Sequence, residues 1–253
     1  MMKKLLALML VIASASICWA GVEKLEDLKT AKIGLQSGSS TEITIREFLD
    51  GKTENVSEYE TLASLIDALK EGKIDAAVMD LSPATYFAKE DKAIKILPDG
   101  LKTEEYGIAF KKGNPLKAEV DKALSELKAD GTISSIIAKY RTDYADPEAI
   151  DYNIGAKNGY LWVGCDAAFP PYDIKTAQGF VGIDIELCAA IAKKLDRTLI
   201  VADYTFEVLP IALNDGRIDM ICSAFTILDE RKTTMDFTAS YDSDVETIVV
   251  LNK

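Results

Sequence analysis

ALKEGKID at residues 68–75 recurs in altered form as ALNDGRID at residues 212–219. Each copy follows an amphipathic run and precedes an apolar one, which predicts a helix, a glycine C-cap, a tight turn and then a strand. Another short strand precedes each copy, at residues 32–38 and 161–166. Strand, helix and strand in both halves indicate parallel βαβ units, so the sequence predicts two similar α/β lobes. The alternative is one continuous sheet built from duplicated halves.

A strand-like stretch at residues 105–110 separates the first unit from a helical segment. In that segment Asn114 is predicted to cap a helix that has Pro115 at its first position and ends at Gly131, and a second helix is predicted at residues 133–140. A polar connector follows at residues 142–158. We therefore expect lobes at residues 21–107 and 108–253, joined by one crossing, a hinge near residues 105–110.

The first 20 of the 253 residues have the pattern of a cleaved secretory signal. Lys3 and Lys4 precede an apolar run at residues 5–12, and small residues near Ala20 give a cleavage site before Gly21. This predicts a periplasmic or extracytoplasmic protein. The alternative is a lipoprotein signal acylated at Cys18.

Charge and cysteine content narrow the possible classes of function. The formal net charge of −12 argues against nucleic acid and anionic membranes as partners. The chain has no histidine and no CxxC spacing, so no metal, no cofactor and no histidine-based catalysis are expected. Cys165, Cys188 and Cys222 are expected to be buried thiols, and a Cys165–Cys222 disulfide is the alternative.

Six stretches resemble the periplasmic solute-binding proteins of polar amino-acid ABC transporters. They are KLEDLKTAKIGLQSGSSTE (24–42), ALKEGKIDAAVMDLSPATY (68–86), EEYGIAFKKGNPLKAEVDKALSELKADGTISSIIAKY (104–140), VGCDAAFPPYD (163–173), FVGIDIELCAAIAKKL (180–195) and LPIALNDGRIDMICSAFTILDERKTTMDFTASYD (209–242). The resemblance implies a two-lobed α/β periplasmic-binding-protein fold with parallel-rich sheets and a ligand cleft between the lobes. One lobe carries the QSGSS turn and Asp80, and the other carries the DAAFPPY turn and Arg231.

The order of these stretches differs from that of the family, in which the DAAFPPY-like strand comes first. Here it follows the connector, so a circularly permuted order is expected. Permutation is tolerated where the old termini can be bridged and the new ones are exposed. A monomer is expected, and a swapped dimer is the alternative.

A free amino acid has a carboxylate, which requires a forked pair of hydrogen-bond donors, and an ammonium group, which requires an acidic side chain. Arg231 is the candidate for the fork, because guanidinium matches a carboxylate bidentately. The resemblance adds Thr226 and Ala224 from the same lobe, and it places the ammonium group at Asp80. The alternatives are that Arg231 only pairs with Asp229 or Glu230, and that Asp80 only caps the helix that follows it.

From the other lobe, the QSGSS turn enters a helix and directs free N–H groups at an anion. Gln36, Ser39 and Ser40 are its predicted contacts, with Ser40 N–H as the second carboxylate donor. A phosphate loop is the competing interpretation, but the lysine of that motif is absent.

The resemblance gives the ligand's side chain a pocket in the DAAFPPY turn. Asp166 meets its far end, which favours a basic or amide group, and Phe169 lies against its aliphatic part. Phe206 or Tyr204 closes the other side. The alternative for Phe169 and Tyr172 is that they are ordinary core residues.

The expected function is binding of a free amino acid, polar or basic, and its delivery to an ABC transporter permease, with no enzymatic activity. A periplasmic cyclohexadienyl (prephenate or arogenate) dehydratase of the same fold is the enzymatic alternative. Delivery of ligand to a chemoreceptor is a third possibility.

Overall fold

The computed structural model describes residues 21–142 and 155–252. The predicted signal at residues 1–20, Cys18 and most of the connector at 142–158 lie outside the described residues. None of the helices in these two ranges is long and apolar enough to cross a membrane.

The described chain forms two five-stranded mixed sheets, each packed with helices. In the first lobe the strand order is β2-β1-β3-β13-β4. Its elements are β1 (Ile33–Gln36), β2 (Val56–Tyr59), β3 (Ala76–Asp80), β4 (Ile94–Tyr106), β13 (Asp242–Leu251), α1 (Thr41–Phe48), α2 (Leu62–Lys70) and α3 (Leu81–Glu90). A 3₁₀ helix at Leu25–Lys29 precedes β1.

The second lobe has the strand order β10-β6-β11-β5-β12. Its elements are β5 (Ala109–Lys111), β6 (Tyr160–Cys165), β10 (Thr198–Asp203), β11 (Met220–Ile221), β12 (Met235–Phe237), α4 (Leu116–Ala129), α5 (Thr132–Thr142), α6 (Ile183–Lys194), α7 (Leu209–Asn214) and α8 (Asp229–Lys232). A small antiparallel sheet of β7 (Ala168–Phe169), β8 (Asp173–Thr176) and β9 (Gly179–Val181) lies beside it, and a 3₁₀ helix spans Phe206–Val208.

Both copies of the repeat have the predicted structure. Gly72 follows α2 and Gly216 follows α7, each with a φ of about +70°, which glycine adopts without steric cost. β1 pairs in parallel with β3, and β6 pairs in parallel with β11, so both βαβ units are present. The predicted helices at 115–131 and 133–140 correspond to α4 and α5. Asn114 accepts a hydrogen bond from Leu116 N at 3.0 Å, but the regular helix begins at Leu116, one residue later than predicted.

The last strand does not belong to the lobe predicted at residues 108–253. β13 pairs antiparallel with β3 and β4, so it lies in the sheet of the first lobe. The chain therefore crosses between the lobes twice, between β4 and β5 and again between β12 and β13. The prediction of a single crossing is wrong, because an apolar strand at the end of the chain carries no local signal of which sheet it will join.

The packing joins elements that are distant in sequence. Val22, Leu28, Ile248 and Val250 belong to one buried cluster, so the two ends of the described chain lie on the same lobe. A second cluster contains residues of both lobes, including Leu65, Tyr106 and Leu161. The two lobes are thus in direct contact around the cleft.

Candidate functional site

A cavity lies where the two lobes meet. Eight of the ten predicted ligand residues line it: Gln36, Ser39, Ser40, Asp80, Phe169, Phe206, Ala224 and Thr226. They come from turns at the carboxyl ends of strands in both lobes, which is where α/β folds place binding residues. Arg231 and Asp166 lie beside the cavity in contact with these residues.

Arg231 links the two lobes at the edge of the cavity. Its Nη1 donates to Thr226 O and its Nη2 donates to Gly38 O, both at 3.0 Å. The guanidinium lies over the Phe225 ring, 4.1 Å from its centroid. Burial lowers the pKa of Arg231 to about 10, so it remains cationic at neutral pH. The alternative was that Arg231 only pairs with Asp229 or Glu230. Instead, Arg231 donates to backbone carbonyl groups, and Asp229 pairs with Lys232.

Asp166 also contacts the opposite lobe. Its Oδ2 accepts from Gln36 Nε2 at 2.7 Å, and its Oδ1 accepts from Ala168 N at 3.2 Å. The residue is buried, and this burial raises the pKa of its carboxyl to about 6. Asp166 is therefore a partly desolvated carboxylate at neutral pH, close to the point at which it takes up a proton.

Aromatic rings form the apolar part of the cavity wall. Phe169 and Phe206 line it, whereas Tyr204 stacks on Arg217 away from it. Tyr172 is fully buried, and its hydroxyl donates to Asp242 Oδ2 at 2.9 Å and accepts from Arg141 Nη2 at 2.6 Å. The sequence left open whether Phe206 or Tyr204 closes the pocket, and Phe206 is the one at the cavity. Tyr172 is a buried structural residue.

The hydroxyl groups of the two lobes meet at a carboxylate. Glu104 Oε2 accepts from Ser40 Oγ at 2.8 Å and from Thr226 Oγ1 at 3.0 Å, and these two hydroxyls are 3.0 Å apart. Ser40 also precedes α1, as the sequence predicts. Asp80 precedes α3, but its side chain makes no capping hydrogen bond. The capping alternative for Asp80 is therefore wrong.

Sequence reasoning missed Glu104, Asp244 and Glu246, which share one buried face with Asp80. The only signal was three acids at alternate positions, 242, 244 and 246, at the start of DSDVETIVV (residues 242–250), which becomes informative once that strand is known to be buried. In the part of the chain that the structure describes, no group of three or more His, Cys, Asp or Glu side chains is arranged to hold a metal ion.

Cys165, Cys188 and Cys222 are free and buried, as predicted, and the Cys165–Cys222 disulfide is absent. Burial raises the pKa of the Cys165 and Cys222 thiols well above the usual value. They are small apolar core residues rather than nucleophiles.

The fold and the cleft define a two-lobed α/β protein with a cavity between its lobes. Residues 161–253 match the model of the family of bacterial extracellular solute-binding proteins, family 3.

Three curated relatives are similar to part of the chain. The arginine-binding extracellular protein ArtP of Bacillus subtilis is 35% identical over 91 residues, which are 35% of this chain and 36% of that protein. The L-arginine-binding protein of Pseudomonas aeruginosa is 36% identical over 80 residues, 31% of each chain. A probable histidine-binding protein of Campylobacter jejuni is 37% identical over 81 residues, 32% of each chain. The chain thus spans about a third of the length of these relatives.

Among solved structures, the arginine-bound form of domain 1 from TmArgBP is 33% identical to this chain. The match covers 41% of this chain and 87% of that domain, with a TM-score of 0.32.

Proposed function

We propose that this protein binds a free amino acid with a polar or basic side chain in the interlobe cleft and delivers it to the permease of an ABC transporter. The observation that carries the proposal is the meeting of eight of the ten predicted ligand residues at one cavity. The cavity combines hydroxyl groups, a buried acid and aromatic walls, with a guanidinium and a carboxylate beside it. Those are the complements of an amino acid's carboxylate, ammonium group and side chain.

The relatives named for arginine and histidine binding support a cationic side chain as the first choice of ligand. Asp166 is suited to it, because a desolvated carboxylate attracts a cation more strongly than one in water. In the structure Gln36 donates a hydrogen bond to Asp166, and Arg231 donates to the carbonyl groups of Thr226 and Gly38. We propose that the ligand replaces these interlobe hydrogen bonds when it binds.

A thermal-shift screen over the twenty amino acids tests the proposal. A ligand at 100 times its dissociation constant should stabilise the protein by about 2.7 kcal/mol and raise the unfolding midpoint. Arg231→Ala removes the carboxylate fork and should weaken binding of the active amino acid at least about 100-fold in calorimetry, because two charge-assisted hydrogen bonds are lost. Arg217→Ala, at a surface pair with Asp215, is the matched control and should bind normally. No shift with any amino acid would exclude the proposal.

The dehydratase alternative is favoured by one observation, that Asp80 at the cavity is a buried carboxyl whose pKa lies well above its usual value. Such a group is a candidate general acid. Incubation with prephenate, followed by the absorbance of an aromatic product, tests this alternative directly.

We also propose that the chain is circularly permuted relative to the family. The support is the order of the motifs together with the packing of Val22 against the cluster that contains Val250. A short join between these two ends would restore the family order.

A further inference from the structure

Four carboxyl groups share one face of the first sheet beneath the cleft, and we name them the acid face: Asp80, Glu104, Asp244 and Glu246. Glu246 on β13 lies directly opposite Asp80 on β3, and Asp244 lies directly opposite Glu104 on β4. Directly opposed residues of antiparallel strands point to the same side, and so do alternate residues of one strand. All four are buried, with exposed fractions of 8% or less. Like charges at such positions repel one another.

The donors available to the acid face do not satisfy it. Asp244 accepts N–H bonds from Ser82 at 2.9 Å and Val245 at 2.8 Å, so both of its oxygens are satisfied. Glu246 Oε1 accepts from the Thr44 hydroxyl at 3.1 Å. Asp80 Oδ1, Glu104 Oε1 and Glu246 Oε2 are buried and form no hydrogen bond in the described part of the chain. A buried carboxylate oxygen in this position is costly unless it carries a proton or meets a cation.

Cations near the acid face are engaged elsewhere. Arg231 acts on Glu104 through its charge, but its hydrogen bonds go to backbone carbonyl groups. Arg141 acts on Asp244 in the same way and forms its ion pair with Asp242. Lys102 contributes a favourable charge at Glu246. Among the described residues, none of the four carboxyl groups forms an ion pair within 4.0 Å.

Protonation is the remaining way to lower the charge of the acid face. Burial, followed by the neighbouring charge of Glu104, raises the pKa of Glu246 to about 8. Burial and the same neighbour, then Asp244, raise the pKa of Asp80 well above its usual value, while the nearby Tyr106 hydroxyl opposes that rise. At neutral pH these raised pKa values favour a proton on the acid face, between carboxyl groups that would otherwise repel each other.

We propose that the acid face is a proton-exchanging cation subsite, which gives up a proton as it accepts a ligand's ammonium or guanidinium group at Asp80. Asp80 is the member that lines the cavity, so it is the one that meets the ligand. The exchange is balanced: a carboxylic acid and a cationic ligand become a carboxylate–cation pair, and one proton leaves to the solvent. The inference rests on the proposed function, and it adds that binding of a cation is coupled to proton release and strengthens as pH rises toward 8.

The first test needs no ligand. The infrared spectrum of the ligand-free protein at pH 7 should contain the carbonyl band of a buried protonated carboxylic acid, and that band should weaken in Glu246→Gln. Glu119→Gln, at an exposed acid that pairs with Arg197, is the matched control and should leave the band unchanged. Absence of the band in the wild-type protein would overturn the inference.

The second test is calorimetry with L-arginine at pH 7 in buffers of different ionisation enthalpy. About one proton should be released per ligand bound, and Glu246→Gln should reduce that number to near zero. Glu104→Gln serves as a second variant if Glu246→Gln does not fold. Binding without net proton release overturns the inference and leaves the proposed function standing. Failure of all twenty amino acids to bind removes the proposed function, while the infrared band still decides whether the face is protonated.

Discussion

Asp166 shows how one side chain can be prepared for a ligand by its surroundings. It follows β6, its backbone N–H donates to Ser223 Oγ at 2.9 Å, and its carboxylate is held by Gln36 from the opposite lobe. Removal from water raises its pKa, whereas the hydrogen bonds from Ala168 and Gln36 lower it in part. The outcome is a carboxyl group that titrates near pH 6, within a physiological range.

This titration predicts a specific dependence of binding on pH. Below pH 6 the carboxyl group of Asp166 takes up a proton and loses its attraction for a cationic side chain, so the affinity for L-arginine should fall by up to about tenfold per pH unit. In Asp166→Asn, calorimetry between pH 7 and pH 5 should find a weaker affinity and a flatter profile over this window. An equally steep fall in the variant would contradict the assignment.

The same raised pKa has the opposite effect on the stability of the ligand-free protein. Between about pH 6 and pH 4 the folded state binds a proton that the unfolded chain does not yet bind, so this group adds stability as the pH falls. Unfolding measured between about pH 6 and pH 4 checks this effect. Asp215→Asn, at an exposed acid, is the matched control for the unfolding and for the calorimetry, and in both it should depend on pH as the wild-type protein does.

At the scale of elements, the DAAFPPY turn and α6 are joined by their backbones. The first N–H groups of α6 bond to the turn, from Ile183 to Pro171 O and from Asp184 to Tyr172 O, both at 3.1 Å. Gly182 allows this approach: its φ is +133°, and a Cβ there would lie 2.0 Å from Tyr172 O. The helix thus holds the turn that carries Phe169, and only glycine fits between them.

Gly182→Ala should therefore be strongly destabilising. Gly179→Ala is a matched control, because Gly179 has a similar φ of +138° but no atom within 4 Å of an added Cβ. Both variants should carry the strain of an unfavourable backbone, about 1–3 kcal/mol, and only Gly182→Ala adds a clash with the turn. Urea unfolding should place Gly182→Ala clearly below Gly179→Ala. Equal losses in the two variants would show that the close approach contributes nothing.

At the scale of the whole molecule, each sheet receives a strand just after the chain crosses between lobes. β5 joins the second sheet after the first crossing, and β13 joins the first sheet after the second. Both added strands run antiparallel to their neighbours, and both sheets therefore have the same arrangement of strands. This symmetry places the carboxyl ends of both sets of parallel strands at the same cleft.

The permutation proposal predicts that the order of the two halves is interchangeable. A chain in which residues 155–253 precede residues 21–142, joined directly, should fold with the same two lobes and keep its affinity for the active amino acid within about threefold. The reason is that the join connects two ends that lie on the same lobe, and closing a short loop costs little. Circular dichroism and calorimetry measure the outcome, and a reordered chain that folds without binding would argue against the proposed order.

The sequence alone determined the two βαβ units and the polar residues that follow their strands. Those features depend on local patterns: a helical stripe, a glycine after it and an apolar strand ending at Asp80 or Asp166. Tertiary structure decided where β13 lies and hence which carboxyl groups meet. Pairing between Glu246 and Asp80 joins residues far apart in the chain, and its register depends on the whole sheet rather than on neighbouring residues. The acid face was invisible in the sequence for that reason, although all four of its carboxyl groups were present there.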